Sequence, residues 1–419
     1  MCFGQDGTSG NGRQNTEMEK KKTSLSDRRY LVPFVLITSL FFMWGFARAI
    51  LDVLNKHFQN ELDINIAQSA LIQVMTYLGY FIMAIPAGLF INRYGYRKGV
   101  IAGLILFALG SLLFIPCSAA GTFYAFLAAL FVIGCGLVFL ETSANPYVTE
   151  LGPKETATSR LNFSQSFNGL GCMAATFGVG SFLFGVGGAE GGVAVPYTVM
   201  GVVVLLIAVA FSRVRLPEIS HEDDGSAADG KGNIARLWKN GMFVFGLSAL
   251  LAYEVAEISI NSYFINFVTG QGWMSDHGAS MVITGALAVF MIGRFVGSWI
   301  MRRVAAEKML FWCAVGTVAC MLTVLGNFGR VSLVALMCNY MFEAIMFPTI
   351  FSLTLRGLGG LTKSASSILM MTPVGGCAFL LMGLVADSVN NIVPFVIPLA
   401  GFAVVLAYAF RLVAGRRSR

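Results

Sequence analysis

Charged side chains are scarce in this chain. Asp, Glu, Lys and Arg make up 12% of its 419 residues, where a soluble domain carries about a quarter. That deficit excludes an ordinary water-soluble fold of this size, which needs polar surface to cover its core. Histidine is nearly missing too, with three copies, and the eight Cys stand singly without a CxxC pair or metal-ligand spacing. Metal binding, a disulfide framework and His-based catalysis are thereby excluded, and the scattered thiols read as inert packing. No cofactor is implied. Gly225-x4-Gly230-Lys231-Gly232 approaches a phosphate loop, but it lacks the Ser/Thr and lies in an acidic linker with no strand before it.

What is abundant is apolar residues, at 56%. They gather into twelve runs, and a bilayer takes about 20 such residues per helix. The predicted fold is therefore an all-α polytopic membrane protein. The one long polar break divides it into a tail at 1–30, a six-helix bundle at 31–213, a linker at 214–240, a second bundle at 241–411 and a basic tail at 412–419. Cationic residues alternate with the spans. With the N-terminus in the cytoplasm, all of the 29 Lys and Arg fall on that side except Arg48, Lys56, Arg294 and Arg330. Basic residues favour cytoplasmic loops, so both termini are expected there. The formal charge of +7 is then a topology signal and gives no reason to expect nucleic acid as a partner.

The two halves echo each other. Glu141 to Pro146 in span 4 recurs as Glu343 to Pro348 in span 10, and Gly171-Cys172 in span 5 as Gly376-Cys377 in span 11. Gly88 with Arg93, Gly95, Arg97 and Lys98 is answered by Gly297 with Arg302 and Arg303. One register runs through all three echoes. That argues for a duplicated six-helix unit, with parallel halves and a solute site between them near the midplane.

The same residues carry a family resemblance. Gly88-x3-Asn92-Arg93-x-Gly95-x-Arg97-Lys98 resembles the loop between spans 2 and 3 of major facilitator transporters, with Asn92 where an Asp is usual. Leu140-Glu141-Thr142-x-Ala144-Asn145-Pro146-Tyr147-Val148, Leu151-Gly152-Pro153 and Arg160-Leu161-Asn162-x2-Gln165-x-Phe167-Asn168 resemble the fucose and glucose–galactose permeases. Met346 to Leu353 and Gly375-Gly376 are similar to the same family, and the resemblance covers nearly all of 30–410. It implies a bacterial inner-membrane symporter for a monosaccharide and protons, not an enzyme, surrounded by lipid and working as a monomer. It also implies that Asp52 and Glu141 are the essential carboxylates, that Gln165 and Asn168 help line the sugar site, and that the Gly88–Lys98 loop gates. Sodium coupling or facilitated diffusion stays open. The chain departs from the pattern at Arg48, before Asp52, and at Glu343.

An ionisable side chain within a span is costly and marks function. Asp52, Glu141, Glu254, Glu257 and Glu343 qualify. Glu141 follows Leu137-Val138-Phe139-Leu140, apolar surroundings suited to a proton carrier, although a neutral Glu bonded within the bundle fits them as well. Arg48 lies four residues before Asp52 and shares its helix face. Their pairing is expected, while Glu254 and Glu257 in span 7 offer Arg48 a second set of partners across the pseudo-twofold axis. A free Arg48 would suit an anionic sugar, since guanidinium binds carboxylate with two hydrogen bonds. The hydrogen-bonding candidates for sugar hydroxyls are Gln73, Tyr77, Asn145, Gln165, Asn168 and Asn261, followed by Tyr263 and Asn266, with Trp44 and Phe41 as stacking faces.

Overall fold

The computed structural model describes residues 31–151, 157–184, 192–213, 230–301 and 303–417. The tail before residue 31, residues 214–229 of the linker, the Gly152-Pro153 pair and the last two residues lie outside them.

Twelve helices in the described residues are long and apolar enough to cross a membrane. Spans 1 to 6 are Pro33–Leu62, Ile66–Ile91, Tyr96–Ala120, Phe123–Asn145, Phe163–Phe184 and Ala194–Arg213. Spans 7 to 12 are Gly241–Gly270, Asp276–Ile300, Ala306–Leu325, Arg330–Leu355, Ser364–Ser388 and Val393–Gly415. No strand occurs among the described residues. Between spans 6 and 7 a short helix, Gly230–Lys239, occupies the end of the expected linker. The last helix runs on to Arg417, through most of the stretch expected to be a tail.

Two apolar cores form. One is built from spans 1 to 6, around residues such as Leu40, Phe107 and Leu137. The other is built from spans 7 to 12, around Leu250, Phe264 and Met321. The outward faces carry large exposed apolar side chains, among them Leu89, Leu206, Trp312 and Phe410. Patches of that kind suit lipid and not water.

Glycines bring the helices close, as is usual where no hydrophobic force separates lipid from protein. A Cβ on Gly45 of span 1 would run into the carbonyl oxygen of Asn168, and one on Gly171 of span 5 into that of Phe42. Spans 1 and 5 therefore pack backbone to backbone. Gly376 of span 11 lies against the Tyr77 ring of span 2, which brings the two bundles together beside the cavity.

Two spans read as continuous runs are broken. Span 10 consists of helices Arg330–Glu343 and Met346–Leu355, interrupted three residues before Pro348. Proline has no N–H for the carbonyl four residues back, here that of Ala344. Arg294 Nε of span 8 donates to that oxygen at 3.1 Å instead. Span 11 consists of helix Thr362–Leu369, a 3-10 segment Thr372–Ala378 and helix Phe379–Ser388. Pro373 leaves the Leu369 carbonyl without an amide donor, and the Thr372 hydroxyl takes it at 2.7 Å.

Candidate functional site

Spans 1, 2, 4, 5, 7, 8 and 10 converge on a cavity between the two bundles. Its volume is about 40 Å³, room for roughly three waters at about 10–15 Å³ each. Four carboxylates line it, Asp52, Glu141, Glu254 and Glu257, with two cations, Arg48 and Arg294. The other walls include Trp44, Tyr77, Gln165, Asn168, Asn261 and Phe290. Polar groups thus stand beside flat rings, the combination a sugar needs for its hydroxyls and its C–H face.

Arg48 pairs across the bundle interface. Its Nη2 donates to Glu257 Oε2 at 2.8 Å and to Glu254 Oε2 at 3.1 Å. The Arg48–Asp52 ion pair that their spacing suggests is not formed within 4.0 Å. Buried charges require partners, and two carboxylates on one facing helix satisfy Arg48 better than a single acid on its own. Asp52 instead accepts from the Ser262 hydroxyl of span 7 at 2.8 Å. Gln73 Nε2 donates to that same hydroxyl at 2.9 Å. Gln73 is therefore one bond behind the cavity wall and holds the group that holds Asp52.

Glu141 lines the cavity from span 4 with Tyr80 within hydrogen-bonding reach. Gln165 lies at the wall, where it donates to Asn145 Oδ1 at 3.4 Å. Asn145 itself stands off the wall, its Nδ2 at 4.0 Å from Met370 Sδ of the second bundle. Asn168 turns its amide to the Phe41 carbonyl at 3.4 Å. Asn261 lines the cavity with its Oδ1 buried and unpartnered, and Trp44 does so with Nε1 in the same condition. The Phe41 ring lies 4.8 Å from that of Trp44 between centroids, tilted by 31°. Tyr263 points elsewhere, to Asn391 at the end of span 11, and Asn266 is buried off the wall.

Glu343 is fully buried and lies outside the cavity lining. Asn339 Nδ2 donates to its Oε2 at 2.7 Å, while Oε1 has no partner. In the expected gating loop, Gly88 faces Ser367 of span 11. Gly95 has φ +84, a conformation open to glycine and strained for other residues. Arg97 Nη2 donates to the Ser212 carbonyl at 2.6 Å, and Arg93 and Lys98 lie over the Tyr94 ring.

Sequence reasoning did not single out Arg294 or Ser262. Besides the Ala344 carbonyl, Arg294 Nη1 donates to Gln165 O at 3.0 Å and Oε1 at 3.2 Å, and its guanidinium lies 4.5 Å from the centre of the Phe290 ring. It thus ties the broken span 10 to span 5. A lone Arg in a span was the only signal for it. Ser262, one small hydroxyl among apolar neighbours, gave none.

Known proteins match this arrangement. The profile of the Major Facilitator Superfamily matches residues 37–380. A glucose/galactose transporter of Brucella abortus is 34% identical over 392 residues, covering 91% of this chain and 94% of that one. An L-fucose-proton symporter of Escherichia coli is 34% identical over 415 residues, covering 93% and 94%. The crystal structure of the transporter FucP in the outward conformation superposes with a TM-score of 0.73 at 34% identity, covering 91% of this chain and 99% of that one. The xylose transporter XylE from Escherichia coli, at 14% identity and a TM-score of 0.71, shares the fold. The chain belongs to the Major Facilitator Superfamily, among transporters similar to its L-fucose and glucose/galactose carriers.

Proposed function

We propose that this protein takes up a monosaccharide of the L-fucose, galactose or glucose type together with protons, by alternating access, across a bacterial inner membrane. The observation that carries the reading is the placement of Asp52 and Glu141, two buried acids from one bundle, on the wall of a cavity shared with the other bundle. Asp52 takes the sugar hydroxyls and Glu141 the proton. Gln165, Asn168 and Asn261 add donors and acceptors, while Trp44 and Phe290 supply flat apolar faces. The names of the relatives at 34% identity support both the sugar and the proton. The halves at 31–213 and 241–411 act as the two rocking bodies, joined by 214–240 with both termini in the cytoplasm.

An anionic sugar held by Arg48 is the weaker reading, because two carboxylates already occupy that guanidinium. The test is uptake of labelled sugars into vesicles with an imposed pH gradient, with and without sodium. Accumulation that follows the pH gradient and ignores sodium is expected. Accumulation that requires sodium, or equilibration without accumulation, overturns the proton coupling.

A further inference from the structure

Span 1 carries four polar side chains at successive helical turns, Arg48, Asp52, Lys56 and Asn60, and each reaches across to the second bundle. Arg48 meets Glu254 and Glu257, and Asp52 meets Ser262. Lys56 Nζ lies 3.8 Å from Asp276 Oδ1, and Asn60 Nδ2 donates to Asp276 Oδ2 at 2.8 Å. Residues four apart share one face of a helix, so these contacts form a single line. It begins at the cavity and ends at the mouth where span 1 finishes.

We propose that this line is a zipper that shuts that mouth, and that a proton taken up by the Glu254–Glu257 pair releases its innermost rung. The inference deepens the transport reading and rests on it. With both acids ionised, the rung holds two negative charges and one positive, and Arg48 is attracted to both. One proton added to a carboxylate oxygen leaves Arg48 a single anion, and the tie between spans 1 and 7 weakens. Glu257 is the nearer entry point, since 11% of its side chain is exposed against 1% for Glu254. Asp52 on span 1, Tyr77 on span 2, Glu141 on span 4, Cys172 on span 5, Tyr253 on span 7 and Arg294 on span 8 are the other charged or titratable groups that share the cavity. Arg294 is bonded to carbonyl oxygens and a side-chain amide. Arg48 is thus the cation that the pair controls.

Lys56 and Asp276 give the zipper its outer rung. Both are partly exposed, at 18% and 26% of the side chain, while Asp52, Glu254 and Glu257 of the inner rungs are buried and Arg48 keeps 24% of its side chain open on the cavity. Opening therefore needs both the inner charge change and the loss of a weaker outer pair.

The test reads conformation apart from transport. Probes placed by unnatural amino acids at the exposed Tyr124, in the first bundle, and Val389, in the second, report the width of this mouth. In nanodiscs the wild-type distance is expected to lengthen as pH falls from about 8 to about 4, a range that reaches the ordinary titration of a glutamate. Glu254→Gln with Glu257→Gln is expected to hold the low-pH distance throughout. If that variant folds poorly, Arg48→Gln added to it removes the charged rung entirely and carries the same expectation. A wild-type distance that ignores pH, or a pH response that survives in either variant, overturns the zipper. Sugar uptake is measured separately: a pH-dependent mouth without sugar uptake would fail the transport reading and leave the zipper standing.

Discussion

The Ser262 hydroxyl donates to Asp52 Oδ1 at 2.8 Å, from one bundle to the other. A serine of the second half thus holds the acid of the first half in the position that a sugar hydroxyl would take. Ser262→Ala removes the donor and leaves a buried acceptor oxygen of Asp52 unsatisfied, at a cost of about 1–3 kcal/mol. The unliganded protein is expected to melt earlier. Sugar binding, measured by calorimetry, is expected to weaken less than stability does, because in the proposed site a sugar hydroxyl replaces Ser262 on Asp52. Unchanged melting would remove Ser262 from this role.

Glu141→Gln keeps the shape of the side chain and removes its capacity to carry a proton. Accumulation driven by a pH gradient is expected to disappear, while exchange of labelled for unlabelled sugar persists. A variant that still accumulates sugar in a pH-dependent way refutes Glu141 as the carrier.

Gly171→Ala tests the backbone contact between spans 1 and 5. The added methyl meets the Phe42 carbonyl, and overpacking of this kind costs about 1–3 kcal/mol. Lower yield and a lower melting temperature in detergent are expected. A variant that melts with the wild type means that spans 1 and 5 separate readily.

Asp387, at the end of span 11, accepts from the amides of Ile66 and Ala67 at 3.3 and 2.9 Å, at the start of span 2. It caps a helix of the other bundle, and helix N-termini favour negative charge. Asp387→Ala is expected to loosen this mouth and to speed labelling of a thiol introduced at Ala67. Equal labelling rates in parent and variant would show that the cap does not hold the mouth.

Glu343 sits buried with one oxygen bonded to Asn339 and the other unpartnered. Glu343→Gln can accept the same bond, so melting and uptake are expected to match wild type. Glu343→Leu leaves the Asn339 amide without its acceptor, at a cost of about 1–3 kcal/mol. Uptake lost in the Gln variant would instead give Glu343 a role in proton movement.

The spans were legible because lipid demands long apolar helices, and the twelve apolar runs correspond to twelve helices long enough to cross a membrane. Span 1 continues to Leu62, and there the exposed Asn60 reaches Asp276 of the second bundle. Spans 10 and 11 read as continuous runs in the sequence, and their breaks lie beside Pro348 and Pro373. What the sequence did not show is which side chain would take each freed carbonyl. Arg48 faced two candidate sets of acids, and spacing along one helix favoured the wrong one. The choice is made by a neighbouring helix some two hundred residues away, where local pattern carries no information. Asp52 and Glu141 were read from family resemblance, and the structure puts both on one cavity wall.

The cavity of about 40 Å³ has a consequence for leakage. A carrier that shuttled a roomy empty chamber would ferry water and stray ions on every unladen cycle. Here the walls lie close together and leave room for roughly three waters. On the proposed reading a sugar must part spans 1 and 7 to enter, so its affinity is what remains after that work is done. On that reading a tighter fit in the closed form means a weaker apparent grip on the sugar and a smaller slip of the proposed coupling gradient.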